Sequence, residues 1–193
     1  MASESLETIT LPHLDQYPLY AGLFRDVANA GFLRKQLLEG NSEFEYTFLD
    51  AATILSREHL LAACFRAIND LALNRLRTKN VHSEIVFSLS PNNNIAESFK
   101  RFGISDSTRD IVAIKVATSP AVLEQDVATH LRRHIDGRLT RLTDAELTRL
   151  RDLGRIGKIY KFDAKALSEG RDPESETAAM LSIAAGVMAL KGL

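Results

Sequence analysis

Two short extended runs, TITLPHL (residues 8–14) and PLYAGLFRDV (18–27), stand back to back before any helical periodicity begins. Asp15 to Pro18 supply turn chemistry between them. Neighbouring strands joined without a helix must pair antiparallel, so the chain cannot start as a doubly wound parallel sheet. Later strands and helices interleave without the regular spacing of βαβ units. The pattern predicts one α+β domain over residues 1–193: a mixed or antiparallel sheet of about four to five strands packed with helices, with residues 1–7 flexible. The apolar fraction of 45% is enough for a full core at 193 residues.

The remaining elements follow from spacing and punctuation. Ala30, Leu33, Leu37 and Leu38 have helical spacing within 28–38, with Gly40 as a C′ glycine. EYTFLD (45–50) reads as a strand. Ser56 caps a long helix over 57–76, whose apolar face holds Leu60, Leu61, Cys64, Ile68, Leu71 and Leu76. In 83–89, Ile85, Phe87 and Leu89 alternate, which predicts a strand closed by Ser90 before Pro91. Asn92 or Asn93 is then expected to cap a helix carrying Ile95, Ser98, Phe99 and Phe102, and Gly103 to stop it. DIVAIKVA (110–117) is a further strand, and Ser119-Pro120 opens a helix to His134. DGRLTRL (136–142) is a turn with a short extended piece. Thr143 and Glu146 form a capping box for a helix to Leu153. GKIYKF (157–162) reads as extended or turn, and 165–176 as a polar loop. The chain closes with a helix over 175–190.

Composition excludes several function classes. A net charge of −1 argues against a strongly basic nucleic-acid binder but leaves room for a local patch. The single cysteine, Cys64, allows no disulfide framework or cysteine-based zinc site within one chain. MASESLETIT lacks a basic start and an apolar core, so no secretory leader is expected. No apolar run approaches a membrane span, and a soluble intracellular protein is the class expected. His130 and His134 stand at i, i+4, but Arg132 and Arg133 between them oppose a cation, so solvated helix surface is expected. Cys64 falls on an apolar helix face and reads as a small hydrophobe. No serine has a nucleophile-elbow context and no glycine-rich phosphate loop is present, so nothing points to catalysis, a cofactor or a metal.

Three features remain. Arg75, Arg77, Lys79 and His82 precede the run at 83–89, and Lys100 with Arg101 follow the asparagines, so the two groups could form one phosphate-tracking patch. A third basic group is Arg149, Arg151, Arg155, Lys158 and Lys161. The closing helix is apolar nearly all round, which means burial on two sides or contact with a partner.

The segment RTKNVHSEIVFSLSPNNNIAESFKRFGI (77–104) resembles the signature of the PRPK-binding protein (TPRKB) family, the small kinase-binding subunit of the KEOPS or EKC complex. LFRDVANAGFLRKQLLEG, FLDAATILSREHLLAACFRAI, GKIYKF and the closing LKGL extend the likeness in the family's order. The stretch after Ala117 through HLRRHIDGRLTRL shows little match. The resemblance implies a non-catalytic subunit that binds the PRPK kinase/ATPase, reaches other subunits through it, and engages the 3′ CCA end of tRNA. The complex threonylcarbamoylates the adenosine beside the anticodon of tRNAs reading codons that start with A. Cytoplasmic and nuclear residence is implied, and for fungal members a link to telomeres and transcription. Carried onto this chain, the kinase-docking residues are Leu181, Ala184, Val187, Met188 and Leu190. The tRNA-contacting residues are Arg77, Lys79, Asn92, Asn93, Asn94, Lys100 and Arg101. Archaeal relatives carry basic residues in the turn where this chain has asparagines, which shifts the charge onto the flanking cations. Two other readings stay open: an adaptor without RNA binding, and a small enzyme using the Ser90–Asn94 turn as a phosphate site.

Overall fold

The structure, a computed structural model, describes residues 5–191. Its sheet has five strands: β1 (Glu7–Ile9), β2 (Leu19–Arg25), β3 (Thr47–Asp50), β4 (Ile111–Val116) and β5 (Arg138–Thr140). Every pairing is antiparallel, in the order β1-β2-β4-β3 with β5 also on β2. β1 pairs with Leu19–Ala21 and β5 with Leu23–Arg25, so the two short strands share one edge of β2 end to end. The first two runs do form the expected antiparallel pair. Of the residues 1–7 expected to be flexible, Glu7 already belongs to β1, and the first four lie outside the described residues.

β2 and β4 are buried on both faces, and the two-residue period of a strand sorts their side chains between two cores. Leu19, Ala21 and Leu23 join Val112, Ile114 and Val116 beneath one helical layer. Tyr20 and Phe24 join Ile111, Ala113 and Phe48 beneath the other. The second layer is α1 (Ala30–Leu38) and α5 (Glu124–His134). The first contains α2 (Arg57–Ala72), α3 (Val81–Leu89), α4 (Ile95–Phe102), α6 (Asp144–Leu150), α7 (Leu153–Tyr160), α8 (Ala164–Ser168) and α9 (Pro173–Leu190).

The largest departure from expectation is residues 83–89, which are helical. Asn80 caps α3 by accepting from the Ser83 amide at 2.9 Å, and all of the helix except Ser83 is buried. A helix walled in on every side keeps no polar face, and its apolar run mimics a strand. GKIYKF is likewise the end of α7, capped by Asp152 and closed by Lys161 in the left-handed region (φ 62°). α2 stops at Ala72 rather than Leu76: Asn74 adopts φ 54°, and the Asn74 and Arg75 amides bond Leu71 and Asp70 carbonyls in a Schellman closure. Pro120 sits in a turn closed from Val122 to Ser119, so α5 starts four residues later than expected. α6 ends at Leu150, and the polar loop contains α8. Thr143 caps α6, Ser56 caps α2, and Gly40 takes the left-handed C′ conformation (φ 68°) as read from the sequence.

Candidate interaction surfaces

The basic loop before α3 owes its shape to one buried carboxylate. Glu84, 1% exposed, accepts the Arg77 amide (3.0 Å), the Thr78 amide (2.8 Å) and the Thr78 hydroxyl (2.6 Å) on a single oxygen. The loop backbone is thereby pinned to the first turn of α3, and Arg77 and Lys79 project outward without an ion pair. Lys100 at the end of α4 is also exposed and unpaired. Arg101 is not a free cation: it pairs with Glu97 at 2.9 Å.

The asparagine turn has a division of labour. Asn94, not Asn92 or Asn93, is the cap of α4, accepting from Glu97 at 3.0 Å. Asn92 accepts from the Asn94 amide at 3.0 Å and so braces the capping residue. The Asn93 side chain is exposed and makes no hydrogen bond.

Between α1 on one side and α3 and α4 on the other, a groove follows the outer edge of β3, where Leu49 bridges to Gly103. Its inner part, about 290 Å³, holds Lys79, His82, Phe44 and Tyr46; its outer part, about 780 Å³, holds Lys100, Arg34 and Arg155. Both parts are walled by Leu37, Leu38, Phe48 and Phe99. Lys79 and Lys100 therefore belong to one concave surface, whereas Asn92 to Asn94 lie outside its lining. His82 accepts the Val116 amide on Nε2 (3.1 Å), so its proton is on Nδ1, which is buried and unpartnered. Burial, with Lys115 nearby, pushes His82 down to about 3, and the ring is neutral. Sequence reasoning missed Glu84 and the apolar walls, and it set His82 in the basic patch, where the structure has a buried, neutral ring. Asn80 just before the apolar run is a capping signal that would have exposed the helix.

The turn after α3 hangs on a buried relay. His59 Nδ1 accepts from the Leu55 amide (3.1 Å), which leaves the proton on Nε2 facing the Tyr160 hydroxyl at 2.7 Å. Tyr160 in turn donates to the Leu89 carbonyl at 2.6 Å, satisfying a C-terminal carbonyl of α3 just before Ser90. Burial pushes His59 down to about 4.

α9 turns Met180, Ala184 and Met188 inward at successive steps of four. Met188 is 4% exposed and belongs to the core, which corrects its assignment, and that of Ala184, to a partner-facing stripe. Leu181 and Val187 are half-buried against the same core, and Leu190 is 66% exposed. The outer face is Ala178, Ser182, Gly186, Ala189 and Leu190. A Cβ on Gly186 would meet nothing within 4 Å, so the protein's own packing does not require glycine there. Small side chains leave this face open to close approach by another backbone.

The other sequence candidates resolve structurally. His130 and His134 are not solvated surface: their rings lie 4.5 Å apart against Phe44, and His130 Nδ1 meets the Tyr46 hydroxyl at 3.0 Å. Among the described residues no group of three or more His, Cys, Asp or Glu side chains is placed to hold a metal. Burial pushes the Cys64 thiol up to about 12, leaving it protonated. Three of the third basic group are structural: Arg149 pairs with Glu146, Arg155 with Asp50, and Arg151 donates to the Leu55 carbonyl and Thr177.

Comparison with known proteins adds the family context. Residues 24–192 match the family described as kinase binding protein CGI-121. The chain is 48% identical over 188 residues, 97% of each chain, to the EKC/KEOPS complex subunit cgi121 of Aspergillus fumigatus. It is 47% identical to the corresponding subunit of Aspergillus terreus, over 98% of each chain. The Schizosaccharomyces pombe subunit is 31% identical over 81% of this chain and 89% of its own.

Proposed function

The chain belongs to the CGI-121 family of kinase-binding proteins, and from this we propose that it is the small, non-catalytic subunit of an EKC/KEOPS complex. It holds a PRPK-type kinase/ATPase subunit on the outer face of α9 and meets the other subunits through that kinase. It receives the 3′ CCA end of tRNA in the groove beside β3, in support of threonylcarbamoyladenosine formation. Its work is placed in the cytoplasm and nucleus, where localisation of a fluorescent fusion tests it.

The observation that carries the RNA reading is the pair of unpaired lysines, Lys79 and Lys100, on one groove whose shared walls include the half-buried Phe99. Single-stranded nucleic acid is bound by such a combination, cations following the phosphates and aromatic faces receiving the bases. Arg77, beside Lys79, adds charge at the inner end. Asn93 offers a side-chain amide that neither caps nor braces the turn.

Anisotropy titrations with tRNA at several salt concentrations test this directly. Arg77→Ala with Lys79→Ala weakens binding and flattens the salt slope by about 0.7 for each single-strand phosphate that is no longer neutralised. Equal affinity for tRNA with and without its CCA end sinks the groove assignment. No RNA binding with retained kinase binding favours the adaptor reading, to which the apolar groove walls also lend themselves. Turnover of ATP or a phosphate ester by the pure chain favours the enzyme reading.

A further inference from the structure

Lys191, the residue after α9, is 6% exposed. Its ammonium donates to the Phe87 carbonyl of α3 and lies 3.2 Å from the centre of the Phe87 ring. Arg66 of α2 donates to the Met188 and Lys191 carbonyls, so the last turn of α9 is fastened to α2 by its backbone and to α3 by its side chain. Glu84, which pins the Arg77–Thr78 backbone, stands three residues before Phe87 on α3 and so shares its face.

Among the described residues, the charges around Lys191 come from three elements: Arg66 on α2, Glu84 on α3 and Arg77 in the basic loop. Burial is the largest influence and Arg66 the next, and together they push Lys191 down to about 7; Glu84 acts upward and Arg77 downward. Seating a cation here is therefore opposed by desolvation and two like charges, and favoured by one carbonyl, one ring and one carboxylate. The last turn of α9 is thus held by one side chain and two of its own backbone carbonyls, and a partner packed on the same turn can bias that seat.

We propose that the last turn of α9, through Lys191 on α3, transmits occupancy of the α9 outer face to the Arg77–Lys79 loop. The inference rests on the docking face assigned above. A partner on Ala189 and Leu190 holds the turn down, keeps Lys191 seated on the Phe87 carbonyl and ring, and so steadies the face of α3 from which Glu84 organises the loop. By reciprocity, an anion bound at the loop strengthens the partner's hold on α9.

The test is amide hydrogen exchange on the full chain, with and without saturating purified kinase subunit. The expected result is that protection of the Arg77 and Thr78 amides rises about fivefold or more, the low end of typical site-to-site coupling. In Lys191→Met the kinase binds within about threefold of the original affinity, and the rise at Arg77 and Thr78 disappears. Lys191→Arg, which keeps the cation, restores part of it. Unchanged protection in the parent chain, or an undiminished rise in Lys191→Met, overturns the proposal. Kinase binding that survives Ala189→Arg removes the docking face and the proposal with it. A rise in protection without any RNA binding at the loop supports the junction while refuting the RNA assignment. If RNA does bind, its Kd shifts with kinase by the same factor as kinase affinity shifts with RNA.

Discussion

Met188 and Ala189 are neighbours in sequence and opposites in space, and exchanging the usual expectation for each tests how α9 works. Met188 is almost fully removed from water within the core that also holds Met180 and Ala184. Truncation to alanine deletes a buried thioether chain and leaves a cavity, a change that costs about 3 kcal/mol at such sites. For a domain of 193 residues that lowers Tm by roughly 6 to 12 °C. Ala189 is exposed in the last turn, so Ala189→Arg alters stability by no more than about 0.5 kcal/mol, and its charge suits a helix C-terminus. On the docking face the same arginine must be desolvated without a partner, which costs about 3 kcal/mol and weakens kinase binding roughly 100-fold. Differential scanning fluorimetry and calorimetric titration with the kinase subunit, run on both variants, separate the two effects. Met188→Ala that loses binding at unchanged Tm refutes the inward placement. Ala189→Arg that binds normally refutes the docking face.

Three further outcomes follow from buried polar groups. His59, neutral in the fold and pushed down to about 4, has an ordinary value near 6.5 when unfolded, so protonation favours the unfolded chain. Its contribution is fully present above pH 6.5 and is lost as pH falls toward 4, about 2 kcal/mol of it between pH 7.5 and 5; urea titrations showing flat stability over that interval contradict the neutral relay. Tyr160→Phe deletes the hydroxyl between His59 and the Leu89 carbonyl, costs about 1 to 3 kcal/mol, and speeds amide exchange in the Ser90–Asn94 turn; unchanged exchange there separates the turn from the relay. Glu84→Gln replaces an acceptor of three hydrogen bonds by a weaker one, so tRNA affinity falls although no RNA-contacting side chain is altered; unaffected tRNA affinity means the loop does not depend on the carboxylate.

How far the sequence could be read depended on whether each element kept a polar side. β2, β3 and β4 were recognisable because β-type runs ended at turn residues, and α2 because Ser56 and a clean apolar face marked it. α3 was misread because its whole circumference is buried, which erases the contrast from which a helical period is recognised. The groove was invisible for a different reason. Its walls come from α1, β3 and α4, and only the folded sheet edge brings Leu38, Phe48 and Phe99 together. The unpaired state of Lys79 and Lys100, against the paired state of Arg101 and Arg155, is likewise a product of tertiary placement.

α3 and α9 both lack a clear polar face, and the structure gives them different causes. In α3 the protein's own layers bury every residue but Ser83, and burial explains the signature. In α9 they bury Met180, Ala184 and Met188 and half-bury Leu181 and Val187, while Ala178, Ser182, Gly186, Ala189 and Leu190 stand in the open. An exposed helical face carries charges unless something else covers it, because long polar side chains there favour solubility at little cost to the helix. The residual apolar face of α9 thus marks what the fold leaves uncovered, and it is there that the proposed function seats the kinase. That assignment has a consequence for the isolated chain. Without the kinase, α9 presents an apolar face, so self-association in light scattering should appear at high concentration and vanish on adding the kinase subunit. Ala189→Arg should suppress it equally, and association that persists in that variant would locate the sticky surface elsewhere.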